Sequence, residues 1–440
     1  MMRRYPAYRE SGVDWLGEVP EGWGVVRLKR DLAFLTSGSR GWAEHYSDDG
    51  PLFLRIGNLK REALELDLSD LQRVEVPSGS EGERTRVHGG DVLFSITAYL
   101  GSVGIVPDDF EPAFVSQHVA LARLNRNLML PKWVGYVTLS NVGKNFLSEQ
   151  GYGGTKIQLS LDDVANLLIP LPPLSEQTAI AAFLDRETGK IDALVAEQRR
   201  LIDLLREKRQ ATISHAVTRG LNPAAPLKPS GVDWLGDVPE GWEVGKFSRL
   251  IAISEGQVDP REEPYASMVL IAPNHIESGT GCLLDLETAT EQGAESGKYC
   301  FDAGAVIYSK IRPALAKVAL APCAGLCSAD MYPLTSRGRL QHEYLAWLLL
   351  SPGFTAWAVL ESDRVAMPKI NREKLNELAL PVPPLTEQSA IVAFLAEQTA
   401  RLDTLTTTAE SAISLLLERR AALISAAVTG KIDVREAEAA

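Results

Sequence analysis

Two stretches of this chain carry the same long helical pattern. Residues 170–220 read PLPPLSEQTAIAAFLDRETGKIDALVAEQRRLIDLLREKRQATISHAVTRG, and residues 381–430 read PVPPLTEQSAIVAFLAEQTARLDTLTTTAESAISLLLERRAALISAAVTG. In each, a Pro-Pro pair forbids helix before it. Ser175 or Thr386 stands where an N-cap belongs, and Glu and Gln follow in the first turn, where negative charge suits the helix dipole. Apolar residues then recur at heptad spacing: Ile191, Leu194, Leu201 and Leu205 in one copy, Leu402, Leu405, Leu416 and Leu423 in the other. Gln198 and Lys208, or Ala409, Ala412 and Arg419, fill the other seam positions. Polar seam residues specify register at a cost in stability. Gly220 and Gly430 close the patterns, each soon after a Val-Thr pair. The two helices pair most simply with each other, antiparallel, about a pseudo-two-fold axis that leaves unlike material at either end.

A second repeat opens each half. Ser11–Val25 is SGVDWLGEVPEGWGV and Ser230–Val244 is SGVDWLGDVPEGWEV, differing only at Glu18/Asp237 and Gly24/Glu243. This segment is rich in turns, and Trp15, Trp23, Trp234 and Trp242 are its anchors. A core role, pinning the chain against the base of each block, fits them better than ligand stacking. Between opening segment and helix lie two variable blocks, about residues 27–168 and 246–379. Short apolar or alternating runs mark strands at Leu52–Ile56, Asp91–Ile96, Val103–Val106 and Val115–Leu124, then at Met268–Ile271, Ala305–Ile311, Lys317–Ala321 and Met331–Leu334. Helical runs follow at Pro131–Gln150 and Leu340–Glu361. Each block reads as a small α/β domain with a curved, mostly antiparallel or mixed sheet. Gly89–Val106 echoes Ala303–Leu320 with one insertion, so the blocks share a scaffold and differ in what they display. Leu221–Pro229, LNPAAPLKP, is a stiff linker into the second half.

The bulk numbers narrow the class. At 440 residues the chain is long enough for two or three domains, and 45% hydrophobic with 23% charged residues is a globular composition. No apolar run approaches the roughly 18 residues that span a bilayer, and Met1–Trp15 has no apolar signal region, so a cytoplasmic protein is expected. Cys282, Cys300, Cys323 and Cys327 have neither CxxC nor paired zinc-site spacing and read as free, reduced thiols. The net charge of −12 counts against a simple nucleic-acid binder. Phosphates sense charge only within about 8–10 Å, however, so local basic surfaces can coexist with that sum. DNA affinity would then be modest alone, or depend on a partner that adds positive charge.

Catalytic motifs are missing. There is no GxxxxGK(S/T), and Gly151–Lys156 reads as a loop. No NPPY-like, HExxH or GxSxG motif occurs, and the six histidines do not cluster in sequence. The polar features worth following lie in block loops. In the second block these are Lys310 and Arg312 at a strand end, Lys317 nearby, and Arg364 and Lys369 ahead of the long helix. In the first block Thr97, Tyr99, Gln117, His118, Thr155, Lys156 and Gln158 hold the matching places. Arg and Lys can read guanine edges, Gln can read adenine, and all can contact phosphate. The competing reading of each is a solvated loop residue.

Together, the doubled DWLGxVPEGW, the doubled PPL(S/T)EQ with its long helix, and the GDVLFS, FVSQHVA and AVIYSKIRP blocks resemble the specificity subunit of type I restriction–modification systems, over essentially the whole length. The resemblance implies an α+β chain in which two α/β target-recognition domains are separated by two long antiparallel helices forming a coiled coil. The expected divisions are 1–169, 170–220, 221–380 and 381–440. Each recognition domain would read one half of a bipartite, asymmetric double-stranded DNA site, and the helices would set the spacer. The resemblance further implies two modification subunits, adenine-N6 methyltransferases, and ATP-dependent restriction subunits as partners. It implies no cofactor in this chain, with S-adenosylmethionine, ATP and magnesium on the partners, and no catalytic site. Recognition differs between members, so no base contact carries over residue by residue. The alternative is a coiled-coil protein–protein scaffold without sequence-specific DNA reading.

Overall fold

The computed structural model describes residues 3–13, 16–38, 40–76, 80–152, 157–362 and 367–435. The chain forms two compact units, Met1–Gln198 with Ser411–Ala440, and Arg199–Glu410. The boundary falls inside both long helices, Leu174–Arg219 and Leu385–Val428.

Each unit is built on the same frame. In the first, Tyr8–Glu10 pairs antiparallel with Glu18–Pro20, and Gly24–Arg27 pairs with Leu168–Leu171, so the two ends of the block lie side by side. In the second, Leu227–Pro229 pairs with Asp237–Pro239, and Glu243–Lys246 with Ala379–Val382. The first block then forms a four-stranded antiparallel sheet in the order Leu32–Ser37, Val119–Leu124, Val92–Ser95, Val103–Ile105. The second block repeats it as Ile251–Ile253, Met331–Ser336, Val306–Ser309, Val318–Leu320. A further mixed sheet packs in each block, three-stranded in the first and five-stranded in the second. The single sheet expected from sequence is therefore two. Strand periodicity locates strands but does not say which of them share a sheet.

The helical runs are each broken in two. Pro131–Leu139 and Asn141–Gln150 meet at Ser140; His342–Leu349 and Pro352–Glu361 are separated by Leu350 and Ser351. Both serines have extended backbone. Ser140 Oγ donates to Val137 O at 2.6 Å and accepts from Gly143 N at 3.4 Å; Ser351 Oγ donates to Leu348 O at 2.7 Å and accepts from Phe354 N at 3.4 Å. One hydroxyl thus satisfies the end of one helix and the start of the next.

The long helices begin at Leu174 and Leu385, so Ser175 and Thr386 fall inside the first turn instead of capping it. The first free amides are taken by the carbonyls of Pro173 and Pro384. Gln177 and Gln388, both fully buried, do the anchoring. Gln177 Nε2 donates to Pro172 O at 3.0 Å and Leu128 O at 3.3 Å, while its Oε1 accepts from Leu130 N at 3.0 Å. Gln388 Nε2 donates to Pro383 O at 2.8 Å and Arg339 O at 2.9 Å, and its Oε1 accepts from Gln341 N at 2.7 Å.

Of the tryptophan anchors, Trp23 and Trp242 are buried, Trp234 is half-buried and Trp15 lies outside the described residues. Trp23 meets Trp133 edge-on at 5.7 Å, and Trp242 Nε1 donates to Glu387 at 2.9 Å. Each unit's core combines the start of one long helix with the end of the other. Ile180 and Leu184 cluster with Ile424, Ala427 and Val428 in the first unit; Ile391 and Leu395 cluster with Ile213, Ala216 and Val217 in the second. Gly220 and Gly430 end the helices at φ 73° and 70°. A Cβ on Gly430 would lie 2.3 Å from Pro20 Cδ, so glycine serves both the turn and the close approach.

The seam differs from the one expected. Ile191, Leu205, Leu402 and Ala409 are buried as anticipated. Leu194 is 51% exposed, Leu201 42% and Leu405 47%, while Val195, Ile202, Arg209 and Arg420 take the inner positions. Lys208 and Arg419 are exposed, and Ala412, Leu416 and Leu423 are half-buried. Two heptad phases fit the sequence, sharing Ile191, Gln198 and Leu205. The helix ends decide between them, because Leu184 and Thr188 on one side and Ile213 and Ala216 on the other are already committed to the cores.

The seam arginines are paired. Arg420, 5% exposed, binds Asp192 through Nε at 2.8 Å and Nη2 at 3.1 Å in the first unit. Arg209, 7% exposed, binds Asp403 through Nε at 3.0 Å in the second, and also the carbonyls of Gly279 at 3.0 Å and Thr280 at 3.1 Å. Charge-assisted hydrogen bonds contribute about 1.5–3 kcal/mol. Arg420→Ala is therefore expected to lower stability by about 2 kcal/mol in urea unfolding. Lys208→Ala, on the exposed face, should stay within about 0.5 kcal/mol.

Candidate nucleic-acid interface

The four-stranded sheet of each block ends in a hairpin whose tip the sequence had marked. In the first block this tip joins Val92–Ser95 to Val103–Ile105; in the second it joins Val306–Ser309 to Val318–Leu320. Each tip is tied to the loop ahead of the long helix by a β-bridge, Thr97 to Gln158 in one and Ile311 to Lys369 in the other. Leu159 N donates to Ile96 O at 2.9 Å, and Ile370 N to Lys310 O at 2.9 Å. The next residue in each tip, Ala98 or Arg312, has positive φ, 61° and 47°. Left-handed backbone disfavours residues with a Cβ by about 1–2 kcal/mol. The same unfavourable turn in both copies points to a shape kept for what the tip presents.

The frame gathers most of the sequence candidates. In the first block Thr97, Tyr99 and Gln158 share one tip. His118 joins them because its carbonyl accepts from Ile96 N at 3.1 Å, and Gln117 Nε2 lies 3.2 Å from His118 Nε2. Tyr99, His118 and Gln158 are exposed. In the second block Lys310, Arg312 and Lys369 share the tip, with Arg312 and Lys369 exposed and Arg312 N donating to Pro368 O at 2.8 Å. Thr155, Lys156 and Arg364 lie outside the described residues. Lys317 is half-buried, and its ammonium donates to the Pro273 carbonyl at 2.6 Å.

Sequence reading missed two cations. Arg61 lies with its guanidinium carbon 3.6 Å from the Tyr99 ring centroid. Arg372 stands over Tyr332 at 5.2 Å and Tyr299 at 5.6 Å, and Lys310 over Tyr332 at 5.3 Å. Burial raises the Tyr332 hydroxyl above its ordinary pKa while Arg372 pulls the other way, so the ring stays neutral beneath the two cations. No local signal marks either arginine, since each meets its ring through the fold.

The tips open onto clefts of unlike lining. That of the first block, about 380 Å³, includes Arg61, Glu62, Tyr99 and Lys144. That of the second, about 610 Å³, is apolar, with Leu315, Val359, Leu360 and Pro368 beside Arg312. Among the described residues no group of three or more His, Cys, Asp and Glu side chains could hold a metal ion. Burial pushes the Cys327 thiol up to about 12, and the other three cysteines are unpaired as well.

Residues 80–201 and 239–414 match the type I restriction modification DNA specificity domain. The chain belongs to that family. It is 30% identical over 358 residues to the type I restriction enzyme EcoDI specificity subunit of Escherichia coli, covering 78% of this chain and 77% of the relative. Over 449 residues it is 22% identical to the EcoBI specificity subunit of Escherichia coli, covering 96% and 89%. A solved chain from a type I R-M system superposes with a TM-score of 0.71 at 20% identity, covering 93% of this chain and 98% of that one. The HsdS subunit from Thermoanaerobacter tengcongensis superposes at 0.54 with 19% identity, covering 94% and 98%. DNA sequence recognition within a restriction–modification complex is thus this specificity chain's function, and it is not itself an enzyme.

Both hairpin tips fall within the matched regions, whereas Arg61 precedes them. Lys317, held by a carbonyl, is a structural element of its specificity domain. Lys317→Ala is expected to destabilise the protein by about 1–2 kcal/mol. Lys369→Ala, at an exposed tip, should leave stability within about 0.5 kcal/mol. Thermal unfolding of the two variants side by side checks this.

Proposed function

We propose that each block reads one half of a bipartite, asymmetric double-stranded DNA site and that the long helices fix the spacer. The observation that carries this reading is the repetition of one loop frame with two linings. A polar, aromatic cleft and an apolar, arginine-edged cleft on the same scaffold suit two different half-sites. Helices of 46 and 44 residues are about 69 and 66 Å long at about 1.5 Å per residue. That length is ample for half-sites one or more DNA turns apart, at about 34 Å per turn.

The partners in this reading are two adenine-N6 modification subunits and ATP-dependent restriction subunits, which hold S-adenosylmethionine, ATP and magnesium. The net charge of −12 supports it, because partner subunits then supply much of the phosphate contact. The long helices carry matched exposed leucines at Leu194 and Leu405, and at Leu204 and Leu415. Such repeated apolar side chains suit two copies of one partner. No described helix is long and apolar enough to cross a membrane, and we place this complex in the cytoplasm.

Genome-wide adenine methylation mapping with and without this chain tests the reading; methylation that does not depend on the chain would favour a scaffold. Inserting four residues after Leu201, with a matching insertion after Ala412, adds about 6 Å of helix. The mapped spacer should lengthen while both half-sites stay the same; altered half-sites with an unchanged spacer would refute the helices as the ruler. Arg312→Ala should relax one half-site only, by about 1–3 kcal/mol of base discrimination. Equal loss at both halves would mark misfolding instead.

A further inference from the structure

Arg61 stands three residues past the short helix Ile56–Asn58. It is exposed, and it reaches the hairpin tip of the first block, where its guanidinium carbon lies 3.6 Å above the Tyr99 ring. That distance puts the guanidinium in close contact with the ring face, and an arginine stacked on a ring face keeps its N–H edge free. Among the described residues Arg61 has no hydrogen-bond or ion-pair partner. The neighbouring carboxylate of Glu62 is engaged elsewhere, by Lys144 at 3.0 Å. Tyr99 is itself exposed and follows Ala98, whose positive φ of 61° sets the direction of the tip. The same place in the second block, three residues past Pro273–His275, holds Ser278. The stacked pair is therefore a feature of one reading head only.

We propose that Arg61 is a base-reading residue of the first block, held in plane by Tyr99 so that two of its N–H groups meet O6 and N7 of a guanine in that block's half-site. This inference rests on the two-half reading above. Guanidinium and the guanine major-groove edge match in spacing, two donors to two acceptors. Stacking removes the rotamer freedom that a long side chain otherwise loses on binding. Tyr99 is then a positioning residue, acting through its ring and not its hydroxyl. A phosphate also offers paired acceptors, and the experiment separates the two.

The protein is assembled with its modification subunits as wild type, Arg61→Ala, Tyr99→Phe and Tyr99→Ala. Each form is mapped by genome-wide methylation and by binding to duplexes carrying the mapped site. Arg61→Ala should lose discrimination at one guanine of one half-site, by roughly 5- to 150-fold, with the other half-site and the spacer unchanged. Replacing that guanine with 7-deazaguanine should weaken the wild type and leave Arg61→Ala unaffected. Tyr99→Phe should keep the wild-type site, and Tyr99→Ala should relax the same base pair that Arg61→Ala does. A uniform loss of affinity over all sequences, with a salt slope shallower by about one, would make Arg61 a phosphate contact and overturn the proposal. So would an unchanged site in Arg61→Ala. If the wild type yields no bipartite site, the two-half reading itself fails, and that result is seen before any variant is compared.

Discussion

Everything downstream of each block depends on one buried amide. Gln177 and Gln388 sit in the first turn of their long helices with both amide hydrogens and the amide oxygen committed. Each bonds backward to the proline that stops the preceding strand and sideways to the chain just before or at the start of the block's own paired helices. An unsatisfied buried amide costs several times what a hydrogen bond contributes, so the arrangement is close to all-or-none. The helix can leave its block in one direction only. Glutamine suits the position because glutamate has no hydrogens to give the two carbonyls and a shorter amide would not span the turn.

That fixed departure explains the seam. A helix launched at a set angle has its phase set by the first buried turn, and the final turn is set again by the other core it enters. Between these limits, Val195, Ile202 and Arg209 face inward whatever the leucines beside them prefer. The aspartate–arginine pairs then act on register. Asp192 with Arg420 and Asp403 with Arg209 are the same pair, exchanged between the helices, and each falls within its own unit. Sliding either pair by a turn would leave a buried guanidinium without its carboxylate, a cost larger than the pair's own contribution. Polar seam residues of this kind select one alignment over its neighbours.

Much of this was legible in the sequence because it was written twice. The doubled opening segment and doubled helix located both blocks, and alternation placed the strands near Val92–Ser95 and Val306–Ser309 to within a residue or two. What was not legible shares one cause. The seam phase, the break at Ser140 and Ser351, and the second sheet in each block all depend on partners distant in the chain, and local periodicity is silent about those. Leucine is also a poor guide on a long helix. Leu194 and Leu201 fit the heptad spacing as well, yet the β-branched Val195 and Ile202 beside them lie inside. The candidate site divided the same way. Residues adjacent to a strand end, such as Thr97 and Arg312, announced themselves, whereas Arg61 and Arg372 reach their rings only after folding.

The loop frames show how a duplicated scaffold can diverge without losing its fold. The hydrogen bonds that hold each tip, from Leu159 and Ile370 to the chain of the hairpin, are backbone bonds and place no demand on side chains. Tyr99 can face Pro313 at the corresponding position, and Arg61 can face Ser278, because neither carries the frame. By contrast, Asn58 and His275, which close the short helix ahead of Arg61 and Ser278, accept the same backbone bond through different side chains, at 2.8 and 3.1 Å. Residues that hold the frame vary only within that geometry, and residues that display chemistry vary freely. A recognition module built this way can change its target one exposed side chain at a time. The glutamine anchors and the seam, where a single lost partner is costly, have no such freedom.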